Sequence, residues 1–359
     1  MRQALQWKSM LGLILAALSA GCATPITPVE RPMENHYGAY AALTNRGLGA
    51  HLDRREVIRD QGERTVLAAA PARVDLRHLM PPVYHQGPMR TCTGFAVAKG
   101  LGEYLLGRRN QRQELSALFT YRGAIIEQFN QEGLPGVPEN ESFSGPNDID
   151  IGASIAHAVR AMKTYGLAYE DSNPYPPQTL WSSYRKSSLN PDVRFGPNRM
   201  AVLLSEDPKE RELWDYFAAT KLFGLSFERA QPGGKFTVTP GSGFGRLARF
   251  KVREIQSITT LQALRGAVAQ GLPVACGIEV YESFYSQAVA QTGIAPLPDV
   301  SRETRVGGHA VLCVGYDDER QVLLMRNSWG AEWGDAGYFT LPYAYVSRGL
   351  VKDGWTATL

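Results

Sequence analysis

Zinc-type spacing of cysteine and histidine is absent from this 359-residue chain, as are a glycine-rich phosphate-cradling loop and any internal repeat. Strong charge of one sign is missing too. The formal net charge is +3 and no basic cluster stands out, which argues against a nucleic-acid partner. No apolar run is long enough for a permanent membrane span; the longest, Met10–Ala20, has the size of a signal-peptide core. What remains is ordinary globular composition, 44% hydrophobic and 20% charged, over a length that fits one large domain or two smaller ones.

Arg2 and Lys8 precede that apolar run, which ends in Leu18, Ser19, Ala20, Gly21 and Cys22. This pattern resembles the lipobox of bacterial lipoproteins, with Ser19 where leucine is usual. The resemblance implies cleavage after residue 21 and acylation of Cys22, hence a lipid-tethered envelope protein. Ala23, in place of aspartate, favours the outer membrane facing the periplasm. Loss of residues 1–21 leaves 36 basic and 35 acidic side chains, so the mature chain is close to neutral. Cys92, Cys276 and Cys313 then remain, an odd number in an oxidising compartment, and at least one thiol is unpaired within the chain.

Residues 22–73 read as the lipidated Cys22 and a tether: 23–52 are rich in Pro, Ala, Asn and Gly, and 52–70 suit a charged helix. From Val74 the pattern turns globular. Helices are expected at 92–109, at 154–165 with Gly166 as its stop, near 208–227, and at 261–270. Apolar runs at 273–280, 310–316 and 322–325 read as strands. Helices early and strands late indicate an α+β fold rather than alternating βαβ units.

Three stretches carry the chemistry. In VDLRHLMPPVYHQGPMRTCTGFA (74–96), Cys92 begins a helix, whose dipole and free N–H groups favour the thiolate. In GGHAVLCVGY (307–316), His309 enters a strand behind two glycines that allow close backbone approach. In RNSWGAEWGDAGYF (326–339), Asn327 opens a glycine-broken turn where it can fix the tautomer of His309. Gln86, six residues before Cys92, can aim an amide N–H at a developing oxyanion together with the Cys92 backbone N–H.

These motifs, in this order, resemble papain-like cysteine peptidases of the C1 family, and the Asn-Ser-Trp-Gly-x-x-Trp-Gly-x-x-Gly-Tyr pattern matches at every fixed position. The resemblance runs from about Val74 to Tyr345, with insertions near 131–150 and 186–245. It implies a papain-like fold of two subdomains over 74–359, a helical half and an antiparallel β half with the cleft between them. It implies Cys92 as nucleophile, His309 as general base and acid, Asn327 as its orienter, Gln86 as oxyanion donor, and Trp329 as a shield over the Asn–His bond. Met89 stands where eukaryotic relatives have a disulfide cysteine, so that bridge is absent.

By the same likeness Gly152 and Ala153 offer backbone to an extended peptide or protein substrate. Gly277, Gly307 and Ala310 wall a pocket whose lack of bulk predicts a wide opening. No cofactor or metal is implied. A silenced binding module on the membrane surface and an acyl transferase would use the same residues. Cys276 and Cys313 read as small core residues on neighbouring strands, with a disulfide as the alternative if their Cα atoms lie within about 7 Å. His36, His51, His78, His85 and His157 show no partner pattern, and only His85 adjoins the site. Long inhibitory propeptide patterning is absent between Cys22 and Val74.

Overall fold

The computed structural model describes residues 48, 50, 52, 57–59, 70–87, 89–132, 152–175, 225–229, 236–240 and 244–359. All fall in one compact unit, Ala41–Leu359. Cys22, and all of the expected insertions apart from 131–132, 225–229, 236–240 and 244–245, lie outside the described residues.

The helical half begins with α1, in which Cys92–Gly94, Phe95–Gly102 and Glu103–Gly107 run on as one helix. Its middle section is π-helical, a widened turn that often marks functional segments. Gly94 lets α2 (Ala117–Glu132) approach the start of α1, because a Cβ there would meet the Ala117 carbonyl oxygen at 2.2 Å. The third helix, α3 (Ile155–Thr164), packs on α2 and stops at Gly166, whose φ of +92° excludes ordinary side chains.

The β half is a seven-stranded antiparallel sheet. Its strands are β1 (Arg73–Asp75), β6 (Glu254–Ile258), β7 (Val274–Tyr281), β8 (Arg305–Asp317), β9 (Val322–Arg326), β10 (Tyr338–Pro342) and β11 (Val351–Thr358). They run β10-β9-β8-β7-β11-β6, with β1 added to the far end of β8. Two small ribbons stand apart: β2 (Leu167–Ala168) with β5 (Ala248–Phe250), and β3 (Leu225–Arg229) with β4 (Phe236–Pro240). One helix, α4 (Leu261–Ala269), follows β6, with the Thr260 hydroxyl capping it through the Ala263 N–H. Early helices and late antiparallel strands make this the expected α+β architecture.

Several expectations change. The strand carrying His309 starts at Arg305, so His309 lies within it rather than at its entrance. Residues 225–227, assigned to a helix, pair as β3 because Phe236–Pro240 supplies a partner. Within the supposed charged helix 52–70, Val57 and Arg59 are extended: Ile58 N–H donates to the Val351 carbonyl, and Arg59 N–H to that of Thr259. Cys276 and Cys313, by contrast, are buried free thiols, the small core residues expected of them.

Candidate active site

Cys92 opens α1 fully buried, where this helix end packs against β8 and α2. Thr91, at the cap position, makes no side-chain bond to the helix. The first backbone N–H groups of the helix are therefore not capped by Thr91, and their dipole favours a thiolate at Cys92.

On β8, His309 stands across from Ile278 in the β7–β8 register. Its Nε2 lies 2.8 Å from Asn327 Oδ1, which also accepts the Ser328 N–H at 2.8 Å and so has a fixed amide orientation. A carbonyl oxygen only accepts, so Nε2 carries the proton and Nδ1 the lone pair in the neutral ring. Burial holds the His309 pKa down to about 4, with the Asn327 bond pulling weakly the other way. Buried Nδ1 has no hydrogen-bond partner.

Two tryptophans enclose this pair. Trp329 stacks on the imidazole with ring centroids 4.9 Å apart and planes 27° from parallel. Tyr285 stacks on Trp329, while Trp333 and Phe284 meet it edge-on, so the cover is itself packed. Gly330 turns the chain away with φ +84°, and a Cβ there would press on the His85 ring at 3.0 Å. The same turn zips onto the loop before Cys92: Gln86 N–H donates to the Ser328 carbonyl, Gly330 N–H to that of Tyr84, and His85 bridges Trp329.

That pairing brings Gln86 to the site. The Gln86 side chain is held from both ends, Oε1 accepting from Ser328 Oγ at 2.6 Å and Nε2 donating to the Met89 carbonyl at 2.8 Å. His309, Asn327, Trp329 and Gln86 are thus joined through Ser328 and the Asn327–Trp329 turn, and the helix that Cys92 opens packs against the strand carrying His309. Ser328 was not singled out from the sequence, although its place between Asn327 and Trp329 was the available signal.

The substrate wall differs from expectation, because the chain itself fills it. Leu48, Ala50 and Leu52 are not part of a free tether. Ala50 N–H donates to the Gly308 carbonyl at 3.1 Å, and Ala50 forms a parallel bridge with Ala153. Leu52 covers Gly277 so closely that a Cβ there would sit 2.2 Å from Leu52 Cδ2, and Leu48 covers Gly307 at 3.2 Å. Ala310 is buried beside them. Where a wide opening was expected at Gly277 and Gly307, Leu52 and Leu48 therefore fill the space. Gly152 has its N–H engaged by the Tyr121 hydroxyl at 2.9 Å, which leaves Ala153 to pair with an extended chain. Leu48 and Leu52 carried no periodic signal; only the glycines facing them hinted at a close-lying partner.

Among the described residues no cluster of metal-ligating side chains occurs, and no helix is long and apolar enough to cross a membrane.

Comparison with known proteins agrees with this geometry. Residues 240–352 match the papain family cysteine protease description. An uncharacterized peptidase C1-like protein of Acanthamoeba polyphaga mimivirus is 42% identical over 96 residues, 26% of this chain and 30% of that protein. The thiol protease aleurain of Arabidopsis thaliana is 42% identical over 85 residues, 22% of each chain. The matched segments thus span less than a third of these relatives. Xylellain, a cysteine protease from Xylella fastidiosa, superimposes with a TM-score of 0.56 at 26% identity, covering 88% of this chain and 96% of that one. The chain is thus similar to papain family cysteine proteases over residues 240–352, on a papain-like α+β fold.

Proposed function

We propose that this protein hydrolyses peptide bonds through Cys92, His309 and Asn327. The observation that carries the reading is the 2.8 Å His309–Asn327 bond beneath Trp329, on strands packed against the helix that Cys92 opens. Cys92 Sγ attacks the scissile carbonyl while His309 Nδ1 takes its proton. The tetrahedral oxyanion is met by the Cys92 backbone N–H and the Gln86 amide. His309 then protonates the leaving amine, an acyl-thioester remains on Cys92, and water activated by His309 releases the acid.

In this reading Leu48–Leu52 keeps the enzyme latent. Ala50 lies between Ala153 and Gly308, with Leu48 and Leu52 against Gly307 and Gly277, where a substrate would enter. Burial is what lowers the His309 pKa, so the closed state keeps the imidazole neutral. Opening rehydrates the ring and favours the imidazolium–thiolate pair.

Kinetics of single variants test the assignment. Cys92→Ala and His309→Ala are expected to lower kcat/KM for a peptide amide by roughly 10⁴-fold or more, and Asn327→Ala by much less. Undiminished turnover in Cys92→Ala would rule out the peptidase reading. The tether is a separate proposal: labelled palmitate should enter the wild type at Cys22 and not Cys22→Ser, and equal labelling would refute it.

A further inference from the structure

The hydroxyl of Tyr175 lies between the two ends of the loop that precedes the nucleophile. It donates to the Gln86 carbonyl at 2.6 Å. With its single proton committed there, its 2.6 Å contact with Thr91 Oγ1 has Thr91 as the donor. One oxygen therefore closes the segment 86–91 into a ring. It ties the residue carrying the side-chain amide to the residue immediately before Cys92. This also explains why the Thr91 hydroxyl leaves the start of α1 uncapped.

The Tyr175 ring is itself fixed from α1. Phe95 meets it edge-on, with centroids 4.9 Å apart and an interplanar angle of 88°. The Tyr175 N–H donates to Glu170 Oε1 at 2.6 Å, and Glu170 pairs with the buried Lys99 ammonium at 2.9 Å. Lys99 belongs to the same helix that Cys92 opens. The hydroxyl thus reports the position of the nucleophile helix directly to Gln86.

We propose that Tyr175 is a positioning residue for oxyanion stabilisation, its hydroxyl setting the spacing between the Gln86 amide and the Cys92 backbone N–H. The inference rests on the peptidase reading above. Two hydrogen-bond donors serve one oxyanion only if their separation is held, and loss of a single such donor typically costs about 10²–10³ in kcat. A misplaced donor forfeits part of that. Thiolate chemistry without an oxyanion is indifferent to the spacing.

The test compares Tyr175→Phe, Gln86→Ala and the double variant in the full chain. It reads kcat and KM for a peptide amide and the rate of Cys92 alkylation by iodoacetamide, a displacement that develops no oxyanion. Tyr175→Phe is expected to lower kcat about tenfold or more. KM should stay within about threefold and alkylation within about twofold, because ground-state binding and the thiolate are untouched. In the Gln86→Ala background Tyr175→Phe should add less than about twofold, since the group it positions is gone. Unchanged kcat, a parallel fall in alkylation and kcat, or fully multiplicative losses in the double variant would each overturn the inference while leaving the peptidase reading standing. Wild-type turnover no greater than that of Cys92→Ala would overturn both.

Discussion

Truncating Leu52 should switch the enzyme on. Its side chain is half-buried and lies against Gly277 and Gly308, with no hydrogen bond of its own to lose. Leu52→Ala removes three carbon groups from that contact. At about 0.8 kcal/mol per fully buried methylene, and about half that here, closure weakens by about 1 kcal/mol, or five- to tenfold in the open fraction. Leu48 is only 6% exposed, so Leu48→Ala removes about 2 kcal/mol more. The double variant should gain a hundredfold or more, until the cleft is open all the time. The assay is initial-rate hydrolysis of a short peptide amide by the unprocessed chain, with mass spectrometry confirming that residues 48–52 remain attached. Both substitutions lie outside the chemical machinery, so a rise in rate reports release alone. Wild-type rates in both variants, with the segment intact, would refute the idea that it holds the site closed.

The ionisation of His309 should follow the same opening. NMR titration of its ring protons should give a pKa of about 4 in the wild type and a clearly higher one in Leu48→Ala/Leu52→Ala, because desolvation is the cause of the depression. Glu103 shifts the opposite way, to about 7, since burial outweighs Lys99 and the N–H of Leu115. A raised carboxyl pKa contributes stability that is complete below about 4.5 and is lost as pH rises through 7. Glu103→Gln should therefore gain melting temperature over the wild type at pH 8 and not at pH 4.5, and a pH-independent difference would contradict this. Gly277→Val displaces Leu52 and narrows the pocket at once. Basal hydrolysis of a substrate with Ala in that pocket should rise while that of one with Phe falls, and equal losses on both would place the pocket elsewhere.

How much of this was legible in the sequence depended on which residues had to be special. Helices α1 and α4 declared themselves because their large apolar side chains recur at helical spacing, although α1 also buries Lys99 and Glu103. Helix α2 did not. Besides Leu118, Phe119, Tyr121, Ile125 and Ile126 it buries Thr120, Arg122 and Gln128, so no polar face remains to set a period. Strand β1 is three residues long and exists only because the far end of β8 extends beyond β7 and offers an edge. At Val57–Arg59 a helix was expected, and the distant residues Lys352 and Thr260 imposed extension instead; at Leu225–Phe227 it was the neighbouring strand Phe236–Pro240 of a hairpin that did so.

The site shows the same division at finer scale. In the proposed mechanism a nucleophile, a base, its orienter and an indole cover each demand one side-chain type, so Cys92, His309, Asn327 and Trp329 stood out as candidates by identity and spacing. Closure of the cleft demands only something apolar of moderate size, and Leu48 and Leu52 meet that requirement without any distinguishing mark. Their imprint is on the opposite wall. A Cβ at Gly308 would lie 2.3 Å from the Ala50 carbonyl oxygen, and one at Gly277 would collide with Leu52. A wall that must accept a polypeptide backbone at such range has to be glycine, whether the strand laid against it belongs to a substrate or to the chain itself. The glycines therefore specified that a strand lies there, and only its position in the fold shows that, in the closed state, the strand is the protein's own.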